Sequence, residues 1–104
     1  GELRGGEAAE LIAAMSSGLK GCIATLDSMG PEDALLALEL LARKDFPNIS
    51  ACGLAKRIAS AIDTIVHVAR CPGAGRSVVR VSKVCGWTED SRYKLEDRFR
   101  RQSC

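Results

Sequence analysis

The side chains best suited to chemistry in this 104-residue chain are sparse: five cysteines at positions 22, 52, 71, 85 and 104, and one histidine, His67. An odd cysteine count with wide gaps and no CxxC pair argues against a zinc site and against a disulfide framework. The cysteines read as small buried hydrophobes plus a terminal thiol in a reducing cytoplasm. His67 lies in the run IVHV, with no serine or cysteine at a spacing that would pair it with a nucleophile. On an alternating strand it shares a face with Ile65 and Ala69, so it reads as a structural histidine rather than a general base. Gly73 and Gly75 of CPGAG read as turn residues, because no helix follows them to complete a phosphate loop.

Two stretches place charge where it could act. GCIATLDSMGP (residues 21–31) is a small apolar run that ends at Asp27 and enters a Gly-Pro break, the pattern of a buried strand delivering a loop to a site. Taken alone, Asp27 reads as an acid ahead of a helix, hydrogen-bonded to backbone amides of the turn. RYKLEDRFRR sets Arg92, Lys94, Arg98, Arg100 and Arg101 around two aromatics, an arrangement that single-stranded nucleic acid can use. Four acids in the tail dilute that charge, so a solvated face is the preferred reading.

The whole chain gives these residues one modest domain to sit in. It is 46% hydrophobic but only 4% aromatic, so its core must be built from Ala, Leu, Ile and Val, the mixture of helices packed on a sheet. An α/β fold is expected. Fifteen basic against thirteen acidic residues, a formal charge of +2, give no field that argues for nucleic acid across the molecule. No stretch has the apolar length of a membrane span, and GELRGGEAAE has neither the basic nor the apolar region of a leader, so a soluble cytoplasmic chain is expected.

The spacing of apolar residues predicts helices over 6–18, 31–44 and 49–62, the second opening with Pro31 and two acids. CIATL (22–26) is predicted as a strand. The β-branched runs 63–70 and 77–84, joined by CPGAG, predict an antiparallel hairpin. For the mixed-charge tail, 88–104, a short strand or helix docked by Trp87, Tyr93, Leu95 and Phe99 ranks above disorder.

In that order, GELRGGEA, GLKGCIATLDSMGPEDAL, RIASAIDTIVHVAR and GRSVVRVSKVCGW together resemble the C-terminal half of the nucleotide-binding domain of pilus-assembly and type II/type IV secretion ATPases, with the Tad-type pilus and conjugation branch nearest. The resemblance runs from Gly1 to about Trp87, and YKLEDRF is similar to that domain's closing strand. It implies a partial RecA-like α/β domain of the P-loop NTPase class, whose parents form hexameric rings and hydrolyse ATP with Mg to drive export, pilus assembly or conjugation.

By the same resemblance, Glu2 matches the glutamate that ends the Walker B strand and polarises the attacking water, and Arg4 the arginine beside it. CIATLDSMGP matches the family's histidine box. Thr25, Leu26 and Pro31 fit that pattern, but Asp27 stands where the histidine belongs, and Ser28 and Met29 also depart from it. A second family histidine falls at Leu19, and a usual arginine at Ala37. Asp27 offers no donor and adds negative charge beside a polyphosphate, which disfavours ATP. No GxxxxGK[ST] occurs in the chain, so the loop that cradles the phosphates is missing and this chain alone is expected neither to hydrolyse ATP nor to hold a cofactor.

The resemblance also makes CIATL a central parallel strand whose neighbours are only partly present, leaving unpaired edges and favouring self-association or pairing with another chain. The absence of an initiating Met points to a processed or excised segment. Three readings follow: a fragment or degenerate form of a secretion or pilus ATPase; a non-catalytic module that binds or regulates an ATPase ring through an exposed apolar or charged face; and a small nucleic-acid binder working through its tail. The first is preferred, with any contact to a membrane indirect, through the secretion apparatus.

Overall fold

A proline in the first turn, two acids beside it and leucines at helical spacing start α2 (Pro31–Ala42) where the sequence predicts it. The computed structural model describes residues 6–16, 21, 23–88, 90 and 92–102. Within them α1 (Gly6–Ser16) precedes α2, and a short 3-10 turn (Arg43–Asp45) leads from it to α3 (Ala51–Ala61). Ser50 caps α3, its Oγ accepting from the Gly53 amide at 3.0 Å. A methyl group at residue 53 would lie 3.0 Å from Ile49 Cγ2 and 3.1 Å from Ser50 Oγ, so the glycine that weakens the helix also makes room for its cap.

Three strands follow: β1 (Thr64–Cys71), β2 (Gly75–Thr88) and β3 (Arg92–Arg100), paired antiparallel in the order β1-β2-β3. The fold is α/β, with the helices packed on one face of the sheet. The hairpin loop between β1 and β2 closes with Ala74 N donating to Cys71 O at 3.0 Å, and its Gly73 and Gly75 adopt φ of 79° and 68°, a backbone region that favours glycine. They are turn residues, as their sequence setting implies. The mixed-charge tail supplies β3.

The core lies between the helices and the inner sheet face. Ala8 and Ile12 of α1, Leu35 and Leu38 of α2, Leu54 and Ile58 of α3 and Val84 of β2 form its buried cluster. Burying a side chain of Leu or Ile size contributes about 1.5–3 kcal/mol, so these few residues supply much of the driving force. Tyr93, Trp87 and Leu95 pack against them from the sheet, and the Trp87 and Tyr93 rings meet edge to face with centroids 4.9 Å apart. Phe99 does not dock there; it lies on the opposite face of the sheet.

Two further sequence expectations fail. CIATL is not a buried strand: Cys22 lies outside the described residues, Thr25 makes only an isolated β-bridge, and Ile23 is 91% exposed. No parallel pair occurs among the described strands, because each one pairs with its neighbour in sequence and the run 23–26 is left beside the sheet. The cysteines are not uniformly buried thiols either. Cys52 and Cys85 are exposed and free, whereas Cys71 is buried and disulfide-bonded. Spacing along the chain could not reveal that bond, since a disulfide depends on which residues the fold brings together. Cys22 and Cys104 lie outside the described residues.

Candidate functional site

The segment from Ile23 to Ser28 forms one wall of a groove of about 1030 Å³, with β1 as the facing wall and Leu11, Met15, Leu35 and Leu38 of the helices contributing apolar lining. Thr25 and Asp27 both line it and both are exposed. Asp63, His67, Arg70 and Arg76 add charge and hydrogen-bonding capacity along the β1 side. Glu2 and Arg4, the other two residues that the resemblance singles out, lie outside the described residues.

Asp33 and Ser28 bond the Gly-Pro turn that follows Asp27. Met29 N donates to Asp33 Oδ2 at 2.9 Å, and Ser28 Oγ donates to Gly30 O at 3.1 Å. The described groove carries no glycine-rich loop opening a helix, and Asp27, Arg70 and Arg76 put charges of both signs on it. Among the described residues no group of three or more His, Cys, Asp or Glu side chains is arranged to hold a metal ion. What the groove offers is an apolar floor between two extended walls, a shape suited to an extended chain.

His67 is half-buried on the inner face in line with Ile65 and Ala69, as its strand position predicts. It borders the groove without a serine or cysteine nucleophile among the residues lining that space besides Ser28 on the far wall.

Sequence reasoning missed a connected polar constellation among the described residues. Arg80 of β2 donates through both terminal nitrogens to Glu32 of α2, at 2.9 and 3.0 Å, and through Nε to Asp97 of β3 at 2.8 Å. Asp97 also accepts from buried Ser82 at 2.8 Å and from Arg100 at 2.7 and 3.0 Å. The Ser82 hydroxyl, then Arg100 and Arg80, hold the Asp97 carboxyl down to about 2. The Arg80 bond likewise lowers Glu32, and Glu32 in turn raises Arg80. Nearby, Tyr93 donates its hydroxyl to Glu39 of α2, and burial followed by that bond pushes the phenol well above its ordinary range. Every member is satisfied, which marks the network as a clamp between α2 and the sheet rather than a reactive centre. Its trace in the sequence is the alternation of SVVRVSKV, where Arg80 and Ser82 occupy the positions facing the helices.

The pH dependence follows from Asp97. Its carboxyl is more acidic folded than unfolded, so its contribution to stability is present above pH 4 and is lost as pH falls toward about 2. Urea midpoints measured between these limits are expected to converge for the wild type and Asp97→Asn as the solution is acidified. A gap that stays constant would mean that the carboxylate charge is not what the clamp uses.

With these surfaces described, comparison with known proteins adds no relative: no protein-family model matches the chain, and no curated protein matches it. No helix among the described residues is long and apolar enough to cross a membrane.

Proposed function

We propose that the chain is a fragment or degenerate form of a pilus-assembly or type II/IV secretion ATPase, corresponding to the C-terminal part of its RecA-like domain and acting by assembly rather than by turnover of ATP. The ordered blocks from Gly1 to Trp87, with YKLEDRF after them, support the ancestry. One structural observation carries the assembly part. The run that the resemblance makes a central strand stands open beside the sheet, with Ile23 91% and Met29 88% exposed, while α2 leaves Leu36 and Leu40 in solvent one turn apart. Apolar surface of this kind is what a half-domain offers to the rest of its fold or to a neighbouring subunit.

In this reading ATP and Mg belong to the intact family domain, where Glu2 would orient the attacking water and Arg4 would stand beside it. Without a phosphate-cradling loop, and with Asp27 in the histidine position, the chain alone turns over no ATP. Its partners are a second copy or the subunits of a secretion or pilus ATPase ring. The same exposed surfaces also suit a non-catalytic module that regulates such a ring. The compartment this assigns is the cytoplasm of the family's parents, although the disulfide on Cys71 is a bond that an oxidising compartment favours.

Light scattering across a range of concentrations, with and without Mg-ATP, tests the proposal together with a turnover assay. The expected result is a concentration-dependent oligomer that nucleotide does not alter, and no turnover. A monomer at every concentration would overturn the assembly reading. Turnover abolished by Glu2→Gln would overturn the non-catalytic one.

A further inference from the structure

Directly opposed residues of antiparallel strands share a face, so the register shows what the sheet turns away from its helices. On that outer face Val66 lies beside Val81 and Phe99, and Val68 beside Val78. Val66 is 56% exposed, Val68 51%, Phe99 46% and Val78 39%, an uncovered apolar centre. The next row toward the hairpin turn pairs Arg70 with Arg76, and the row on the other side sets Lys83 between Thr64 and Glu96. Of the acids that dilute the basic tail in the sequence, Glu96 lies on this face beside Lys83 and Asp97 does not. Asp97 is turned inward onto Ser82, Arg80 and Arg100, and Glu96 is ion-paired with Arg98 at 2.9 Å. The outer face is therefore an apolar strip whose rim carries Arg70 and Arg76 at one end and Lys83 with the ion-paired Glu96 and Arg98 at the other, basic on balance.

We propose that this face docks an amphipathic helix of a partner protein, whose apolar stripe lies on Val66, Val68 and Phe99 and whose flanking carboxylates meet Arg76 and Lys83. A sheet face is buried by a helix layer or by another sheet, and the inner face of this sheet already takes the first solution. The charge of the rim selects the partner: carboxylates complete it, whereas a second copy laid face to face would set basic rim against basic rim. Single-stranded nucleic acid would find one ring to stack on, Phe99, among valines. The inference does not depend on descent from a secretion ATPase.

The test uses the full chain and a fluorescent peptide of about 18 residues, helical by design, with a leucine stripe flanked by glutamates. The comparison ligands are the same peptide with lysine for glutamate, and an oligothymidine. The acidic peptide is expected to bind, more weakly as salt rises, and the lysine peptide to bind at least about tenfold more weakly. Val68→Asp, an exposed position where the fold should persist by circular dichroism, is expected to lose about tenfold or more in affinity for the acidic peptide. Arg76→Glu with Lys83→Glu is expected to reverse the preference between the two peptides. Equal binding of both peptides, or binding of neither, overturns the proposal. So does oligothymidine binding that is lost on Phe99→Ala, or a dimer that Val68→Asp dissolves.

Discussion

Ile58→Ala is expected to cost about 3–4 kcal/mol of folding stability, a large part of the roughly 5–15 kcal/mol available to a domain. Ile58 is fully buried near the middle of α3, in the cluster that joins all three helices to Val84 of the sheet. Truncation removes three methyl or methylene groups from water-free surroundings and leaves a cavity that the neighbouring side chains fill only in part. The control lies on α2. Leu36 and Leu40 are 52% and 61% exposed, so alanine at either is expected to change stability by no more than about 0.5 kcal/mol. Urea denaturation of the three variants measures the contrast, and similar losses at all three positions would contradict the division of α2 and α3 into buried and open faces.

Arg80→Met should cost less, about 2 kcal/mol, and by a different route. Methionine keeps much of the side-chain stem but removes the forked pair to Glu32 and the bond to Asp97. Asp97 remains held by Ser82 and Arg100, and Glu32 is well exposed, so solvent screening keeps the loss below that of a fully buried pair. A double-mutant cycle with Glu32→Gln isolates the bond between α2 and the sheet, with a coupling of about 1 kcal/mol expected. Strict additivity would show that the pair contributes nothing to docking α2, and would return that role to its buried apolar residues and the Tyr93–Glu39 bond.

Much of this fold is legible in the sequence because its signals are local. Pro31 with Glu32 and Asp33, the leucine spacing of α2 and the β-branched runs around CPGAG each place an element within a few residues. The failures are those where the deciding partner lies elsewhere in the chain. CIATL has strand composition, yet a strand exists only if a neighbour pairs with it, and β1 pairs with β2 instead. The disulfide on Cys71 and the clamp around Arg80 depend in the same way on residues that become neighbours only after folding: Glu32 and Arg80 are 48 positions apart. The candidate site was legible in part. Thr25 and Asp27 do line one groove, but the acidic dilution inferred for the tail falls only partly on the outer sheet face, because alternation sends Asp97 to the inner side of β3 and Glu96 to the outer.

The strand order has a consequence for how the chain is made. The sheet is a meander whose pairs begin close by, at Cys71 with Gly75 and at Thr88 with Arg92, so each hairpin closes a short loop and can form quickly. All three helices precede it. During synthesis from the N-terminus, α1, α2 and α3 emerge with their apolar stripes before the surface that seats them exists, and they stay unsheltered until β2 and β3 have followed. A ribosome stalled before residue 92 would hold a chain whose helices are complete but whose sheet lacks the strand carrying Tyr93, Leu95 and Asp97, and such nascent chains should be cut by protease far faster than the released protein.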